Sequence, residues 1–307
     1  MMRTAPLKHA LLVLALMLSA FAPSAHGEEA GPTTSRRIVA IGGAVTETLY
    51  ALGLEDRVVA VDTSSTYPPR ALAGKPNVGY IRALSPEGVL SVGPELIIAL
   101  DGAGPPDAVK VLKSAAVPFE SIPEARNGEA VVANIRRIAK LAGVPERGEE
   151  LAKAVESDFA ALAELRGRIA TPREAVFVLS ASGAAPVVGG AGSSADAMFA
   201  LAGIGNALLA VEGYKPAVGE AILGADPYAI VLMKDRNHAL ADDAIRTMPA
   251  FAGTKAVTEG HVYRIDGGYL LSFGPRTPQA ARDLAAMVYP ELNLPALPTR
   301  AWASAAP

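Results

Sequence analysis

A phenol, several cations and a pair of carboxylates are the side chains of this sequence placed where they could do chemistry. Tyr67 precedes Pro68 and Pro69, Arg70 follows three residues on, and Arg82 lies within the stretch Val78-Gly79-Tyr80-Ile81-Arg82-Ala83-Leu84-Ser85-Pro86-Glu87-Gly88. An ionised phenol is a hard anionic oxygen of the kind ferric iron prefers. In water a phenol titrates at about 10, so a metal or a neighbouring cation has to favour the ionised form. Arg70 or Arg82 could supply that cation, or could grip a ligand carboxylate with its planar fork. From Tyr67-Pro68 alone, an aromatic lid on a proline turn is the plainer reading.

Other donors are few. After the leader described below, the histidines are His238 and His261, and the methionines are Met198, Met233, Met248 and Met287. Met233 ends a β-rich run and Met287 sits at helical spacing from Leu284, so both read as core. His261 reads as a surface residue of a turn. His238 follows a predicted strand, at the end of an α/β sheet where ligand-binding loops gather. The absence of cysteine removes disulfides, thiolate metal sites, catalytic thiols and lipid attachment through Cys. Gly190-Ala191-Gly192-Ser193-Ser194-Ala195, with Glu212 further on, outlines a dinucleotide fingerprint and leaves a secreted NAD-dependent oxidoreductase as a distant alternative. A chain with 29 glycines produces such outlines easily. G-x-S-x-G and GxxxxGK[ST] do not occur. With 28 basic against 31 acidic residues and no basic run, nucleic acid is not an expected partner.

The elements that would position these groups are legible in outline. Arg3 and Lys8, the apolar run Ala10 to Phe21 and the small residues of Ala25-His26-Gly27 form an export signal, cleaved near Gly27. The run is too short to span a bilayer comfortably, so periplasmic release without membrane insertion is expected. The mature chain has 280 residues and a charge of about -5. From Arg37, β-rich runs at 38–41, 58–61 and 96–100 alternate with helical stretches at 45–52 and 107–116. The second half repeats this with strands at 176–179, 230–233 and 262–265 and a helix at 195–201. Such alternation implies parallel sheets covered by helices.

Glu87-Gly88-Val89-Leu90, Pro94 and Ile97 overlay Glu220-Ala221-Ile222-Leu223, Pro227 and Ile230 at a constant offset of 133 positions. Gly42-Gly43 with Glu47, Tyr50, Ala51 and Leu52 likewise resembles Gly189-Gly190 with Asp196, Phe199, Ala200 and Leu201, so a duplicated lobe is expected. Between the halves, Leu151, Val155, Phe159, Leu162 and Leu165 mark one long amphipathic helix. The organisation read from the sequence is a signal peptide at 1–27, an α/β lobe at 37–143, a connecting helix at 146–170, a second α/β lobe at 173–292 and a tail at 293–307. The fold class is α/β: two Rossmann-like lobes with mostly parallel sheets, one long joining helix, and a cleft between the lobes where a ligand would bind.

With Val61-Asp62-Thr63-Ser64-Ser65-Thr66-Tyr67-Pro68-Pro69 and Val78–Gly88 in such a chain, the sequence resembles the periplasmic substrate-binding proteins of ABC importers for haem, siderophores and cobalamin, and most closely the haem-binding subgroup. The resemblance implies that hemin (haem b) is the transported ligand and that Tyr67 is its axial iron ligand. Either Arg70 or Arg82 would then meet the phenolate or a propionate, with Arg70 favoured for the phenolate, and the loop with Tyr269, Phe273 and Arg276 resembles a cleft-facing stretch of the family that could stack on the porphyrin. Some relatives add a histidine from the second lobe; here the loop Gly189–Ser194 holds no ligating side chain. The resemblance makes Glu87 and Glu220, one on each lobe, docking carboxylates for a membrane permease with a separate ATPase. A helix N-terminal carboxylate without such a role would look the same. The expected product is a monomeric carrier that catalyses no reaction. A ferric siderophore or corrinoid on the same fold is the alternative ligand.

Overall fold

A computed structural model describes residues 36–181, 185–234 and 242–304; the export signal and His238 lie outside the described residues. The first half runs β1 (Ile38–Ile41), α1 (Gly43–Ala51), β2 (Val58–Val61), α2 (Pro69–Gly74), α3 (Pro86–Ser91), β3 (Leu96–Leu100), α4 (Pro106–Ser114), β4 (Phe119–Ile122) and α5 (Gly128–Leu141), then α6 (Pro145–Arg166) crosses to the second half. There follow β5 (Glu174–Ser180), β6 (Val187–Gly189), α7 (Ser194–Ala202), β7 (Gly205–Asn206), β8 (Tyr214–Pro216), α8 (Gly219–Ala225), β9 (Ala229–Met233), α9 (Asp242–Thr247), α10 (Lys255–Thr258), β10 (Val262–Ile265), α11 (Gly267–Leu271) and α12 (Thr277–Val288). No helix among the described residues is long and apolar enough to cross a membrane.

The first sheet is wholly parallel, in the order β2-β1-β3-β4. The second, β10-β9-β5-β6-β8 with β7 beside β5, is mixed. β10, β9, β5 and β7 run parallel, whereas β6 and β8 are antiparallel additions at one edge. Strands buried on both faces read as unbroken apolar runs, and their alternate side chains serve different layers. Ile38 and Ala40 of β1, with Ala175 and Phe177 of β5, enter one core shared by both halves. Val39 and Ile41 face an outer core of the first half, and Val176 and Val178 one of the second. The repeat has a structural meaning here. Glu87 and Glu220 open α3 and α8, and Ile97 and Ile230 are the second residues of β3 and β9, each fully buried.

α6 has 22 residues, about 33 Å at 1.5 Å per residue. It packs on α5 of the first half and on α7 and α12 of the second. Residues 167–169 do not extend it to 170 but tighten into turns, with Ile169 N–H donating to Arg166 O at 3.0 Å. Its buried stripe differs from the expected one: Leu151, Val155, Asp158, Leu162 and Leu165 face the core, and Phe159 is only partly covered. A carboxylate therefore occupies the centre of an apolar seam. At Gly148, a Cβ would overlap the Ala139 methyl of α5. Gly148→Ala should thus destabilise the protein by about 1–3 kcal/mol through overpacking, despite the gain of up to about 1 kcal/mol that alanine brings to a helix. A urea midpoint above that of the parent would contradict this close approach.

Candidate functional site

Tyr67 is held on the loop between β2 and α2 by a buried carboxylate. Asp62 accepts hydrogen bonds from Gly42 N (2.8 Å), Ser64 N (2.9 Å) and Ser65 Oγ (2.9 Å), and Ser65 Oγ meets Thr46 Oγ1 at 2.7 Å. Gly42 opens α1 at a φ of 106°, a conformation that favours glycine. The loop is thereby fixed to the C-terminal ends of β1 and β2, and Pro68 and Pro69 start α2 just beyond Tyr67.

From the second half, the loop after α11 brings Arg276 against the tyrosine. Its guanidinium carbon lies 3.2 Å from the Tyr67 ring centroid and 5.0 Å from that of Tyr269, within the range of a cation–π contact. Glu47 of α1 holds this arginine, accepting from Arg276 N–H at 2.8 Å and from Nη2 at 2.9 Å. The ion pair is nearly dry, with side chains 12% and 4% exposed, and it ties the two halves together. Arg276 Nε is buried with no hydrogen-bond acceptor among the described residues, as are Gln279 Oε1 and Tyr50 Oη without partners. Orphaned buried polar atoms are uncommon in folded proteins and mark a place where a ligand or water belongs.

Tyr67 lines two spaces. One, of about 440 Å³, is bounded by Thr66, Asp266, Tyr269, Arg276, Gln279 and Asp283; the other, of about 250 Å³, by Glu47, Tyr50, Arg70 and Trp302. Tyr269 Oη donates to Asp283 at 2.9 Å, and burial, reinforced by that carboxylate, pushes its phenol well above the ordinary range. Tyr269 is therefore a neutral wall at neutral pH. A larger cavity of about 710 Å³ opens between α5 and α6, lined by Val132, Phe159, Leu162 and Leu201, but none of the sequence-derived site residues borders it.

The expected site residues are distributed as follows. Tyr67, Tyr269 and Arg276 converge on the cleft. The cation on Tyr67 is Arg276, whereas Arg70 lines the smaller space and pairs with Glu55 at 2.8 Å. Arg82 is exposed on the turn before α3. Phe273 does not face the cavity: with a φ of 54° it turns into the shared core and is 4% exposed. Glu87 and Glu220 are exposed in the first turns of α3 and α8. His261 lies away from Tyr67 and stacks on Tyr228, ring centroids 4.1 Å apart. The dinucleotide outline is used for folding. Gly190 N and Ala191 N donate to Gly213 O (2.8 Å) and Val211 O (2.7 Å), and a Cβ on Gly190 would overlap the Val211 carbonyl. Backbone amides engaged in this way do not cradle a pyrophosphate.

Sequence reasoning missed Asp62, Glu47 and Asp158. The Asp-x-Ser-Ser spacing after a strand was a signal for the first, since Asp side chains accept from amides two residues on. The other two depend on partners more than a hundred residues away.

Two halves joined by one helix, with a cleft beside Tyr67, define a two-lobed ligand-binding protein. The chain belongs to the periplasmic binding protein family, whose profile matches residues 38–269. Among solved structures, the apo form of the periplasmic heme-binding protein RhuT from Roseiflexus sp. RS-1 superposes with a TM-score of 0.80 at 35% identity, covering 84% of this chain and 99% of that one. The heme-binding protein BhuT in complex with two hemes gives 0.79 at 35% identity, with the same coverages. Among curated proteins, the uncharacterised ABC transporter substrate-binding lipoprotein YvrC of Bacillus subtilis is 27% identical over 83% of this chain and 81% of its own length. A vitamin B12-binding protein of Vibrio cholerae is 29% identical over 46% of this chain and 51% of its own.

Proposed function

We propose that this chain is the periplasmic carrier of an ABC importer for hemin, and that Tyr67 supplies the iron ligand. The observation that carries the reading is the stack of Arg276 on Tyr67, anchored by Glu47 at the edge of an open cleft. A guanidinium on the ring face is matched to the negative charge that a ligating phenolate carries. Tyr269 offers a flat neutral wall, and Arg276 Nε and Gln279 Oε1 offer unspent polar capacity. Arg70, which borders the smaller space beside Tyr67, is a cation within that side of the site for a ligand carboxylate. The similarity to a heme-binding structure at 35% identity and a TM-score of 0.80 supports hemin over a corrinoid, for which a vitamin B12-binding structure gives 23% identity and a TM-score of 0.69.

Titration of the purified protein with hemin tests the reading. The expected result is a saturable high-spin ferric spectrum with the charge-transfer band of tyrosinate ligation; an unchanged Soret region would overturn it. Cyanocobalamin is expected to give no thermal protection.

Glu87 and Glu220 are proposed as the permease contacts, one per half, at equivalent places in the repeat. Exposed carboxylates add little to stability but steer association and set register. Replacing both by alanine should abolish most hemin uptake in whole cells while leaving hemin affinity within about twofold. Normal uptake by the double variant would remove them from the docking surface.

A further inference from the structure

The segment after α12 does not trail away. Arg282 donates to the carbonyls of Leu294 and Pro295, Leu294 and Leu297 enter the shared core, and the chain then turns back toward the cleft. Arg300 is its anchor. It contacts Asp158 on α6, with Nη2 to Oδ1 at 2.6 Å, while Nη2 also donates to Ala154 O at 3.2 Å. Asp158 is fully buried and also accepts from Gln279 Nε2 at 2.8 Å. Beyond the anchor, residues 301–303 form one 3-10 turn, and Tyr67 Oη donates to the Trp302 carbonyl at 3.3 Å. Ala303 borders the larger space beside Tyr67, and Ala301, Trp302 and Ser304 border the smaller. The turn is thus a partition between two spaces that share one phenol.

We propose that residues 300–304 are an intramolecular strap over Tyr67, pinned by Arg300 to Asp158, that has to leave before a ligand can bond the phenol oxygen. The inference builds on the hemin reading for its consequence, although the strap itself follows from the contacts alone. Ligation breaks the Tyr67 O–H bond, passes the proton to solvent and forms an Fe(III)–O bond. The proton that Tyr67 donates to Trp302 is the one lost, and a phenolate facing a carbonyl oxygen has two acceptors and no donor. Strap contact and iron ligation therefore exclude one another. Hemin pays for release of the strap from its own binding energy, so the strap lowers apparent affinity by the fraction of molecules in which it is open.

Two full-length variants test the strap: Arg300→Ala, and Asp158→Asn combined with Arg300→Ala, which leaves no buried carboxylate unpaired if the first variant fails to fold. The ligand-independent measurement is nitration of Tyr67 by tetranitromethane, followed by peptide mass mapping. Both folded variants are expected to nitrate Tyr67 at least fivefold faster than the parent; an unchanged rate overturns the strap. Stopped-flow mixing with hemin is expected to show association at least tenfold faster in the variants. Faster nitration with an unchanged hemin rate overturns the gating role. Faster nitration when neither parent nor variant binds hemin overturns the ligand reading and upholds the strap over Tyr67.

Discussion

Tyr67→Phe should remove the tyrosinate charge-transfer band altogether and weaken hemin binding by on the order of 100-fold, about 2.7 kcal/mol. The substitution is selective by construction. Phenylalanine keeps the ring on which Arg276 lies, the Pro68 that follows it and the Asp62 network that holds the loop. The oxygen is lost, and with it the long hydrogen bond to Trp302, a term of about 1 kcal/mol or less. Stability should therefore change little while the iron loses its donor. Spectral titration of both proteins with hemin makes the comparison. Retention of the parent spectrum in Tyr67→Phe would show that another side chain binds the metal, and His238 would become the first to examine.

The second large effect concerns the pair that stands behind the tyrosine. Glu47→Ala leaves the Arg276 guanidinium, 12% exposed, without its carboxylate, and also removes the acceptor for the Arg276 backbone N–H. Uncompensated burial of one member of an ion pair costs about 3–5 kcal/mol. At roughly 2–4 °C per kcal/mol for a chain of this size, thermal unfolding should fall by about 10 °C. Replacing both residues by leucine should cost much less, because no charge is then stranded. The double-mutant cycle, read from urea midpoints, isolates the coupling between them. A Glu47→Ala midpoint within 1 kcal/mol of the parent would mean that the pair contributes little to joining the halves.

Much of this architecture was readable from the chain, and the part that was not has two physical causes. Strands such as Ile38–Ile41 and Leu96–Leu100 declare themselves because burial on both faces demands apolar residues throughout. The 133-residue offset survives because Ile97 and Ile230 occupy the same register position in two sheets. β6 and β8, with three residues each, are too short to show a period, so the second sheet was expected to be more parallel than it is. On α6 the apolar rule selected Phe159 and passed over Asp158, whose burial depends on Arg300, 142 positions away. Arg70 is close to Tyr67 in sequence and borders the smaller space beside it, whereas the cation above the ring, Arg276, comes from the other half of the chain, beyond the reach of sequence spacing. For the side chains of α6 and the site the deciding partner was remote, and periodicity reports only on neighbours.

The shared core has a thermodynamic consequence. Residues of β1, α5, α6, β5, α7 and α12 belong to one buried cluster, and the described residues form one compact unit. Rotating the sheets apart would bring apolar surface into water at about 25 cal/mol for every Å² exposed. Neither half can shed its inner layer without uncovering that of the other. Heat should therefore melt the two sheets together, in a single calorimetric transition whose measured and van't Hoff enthalpies agree.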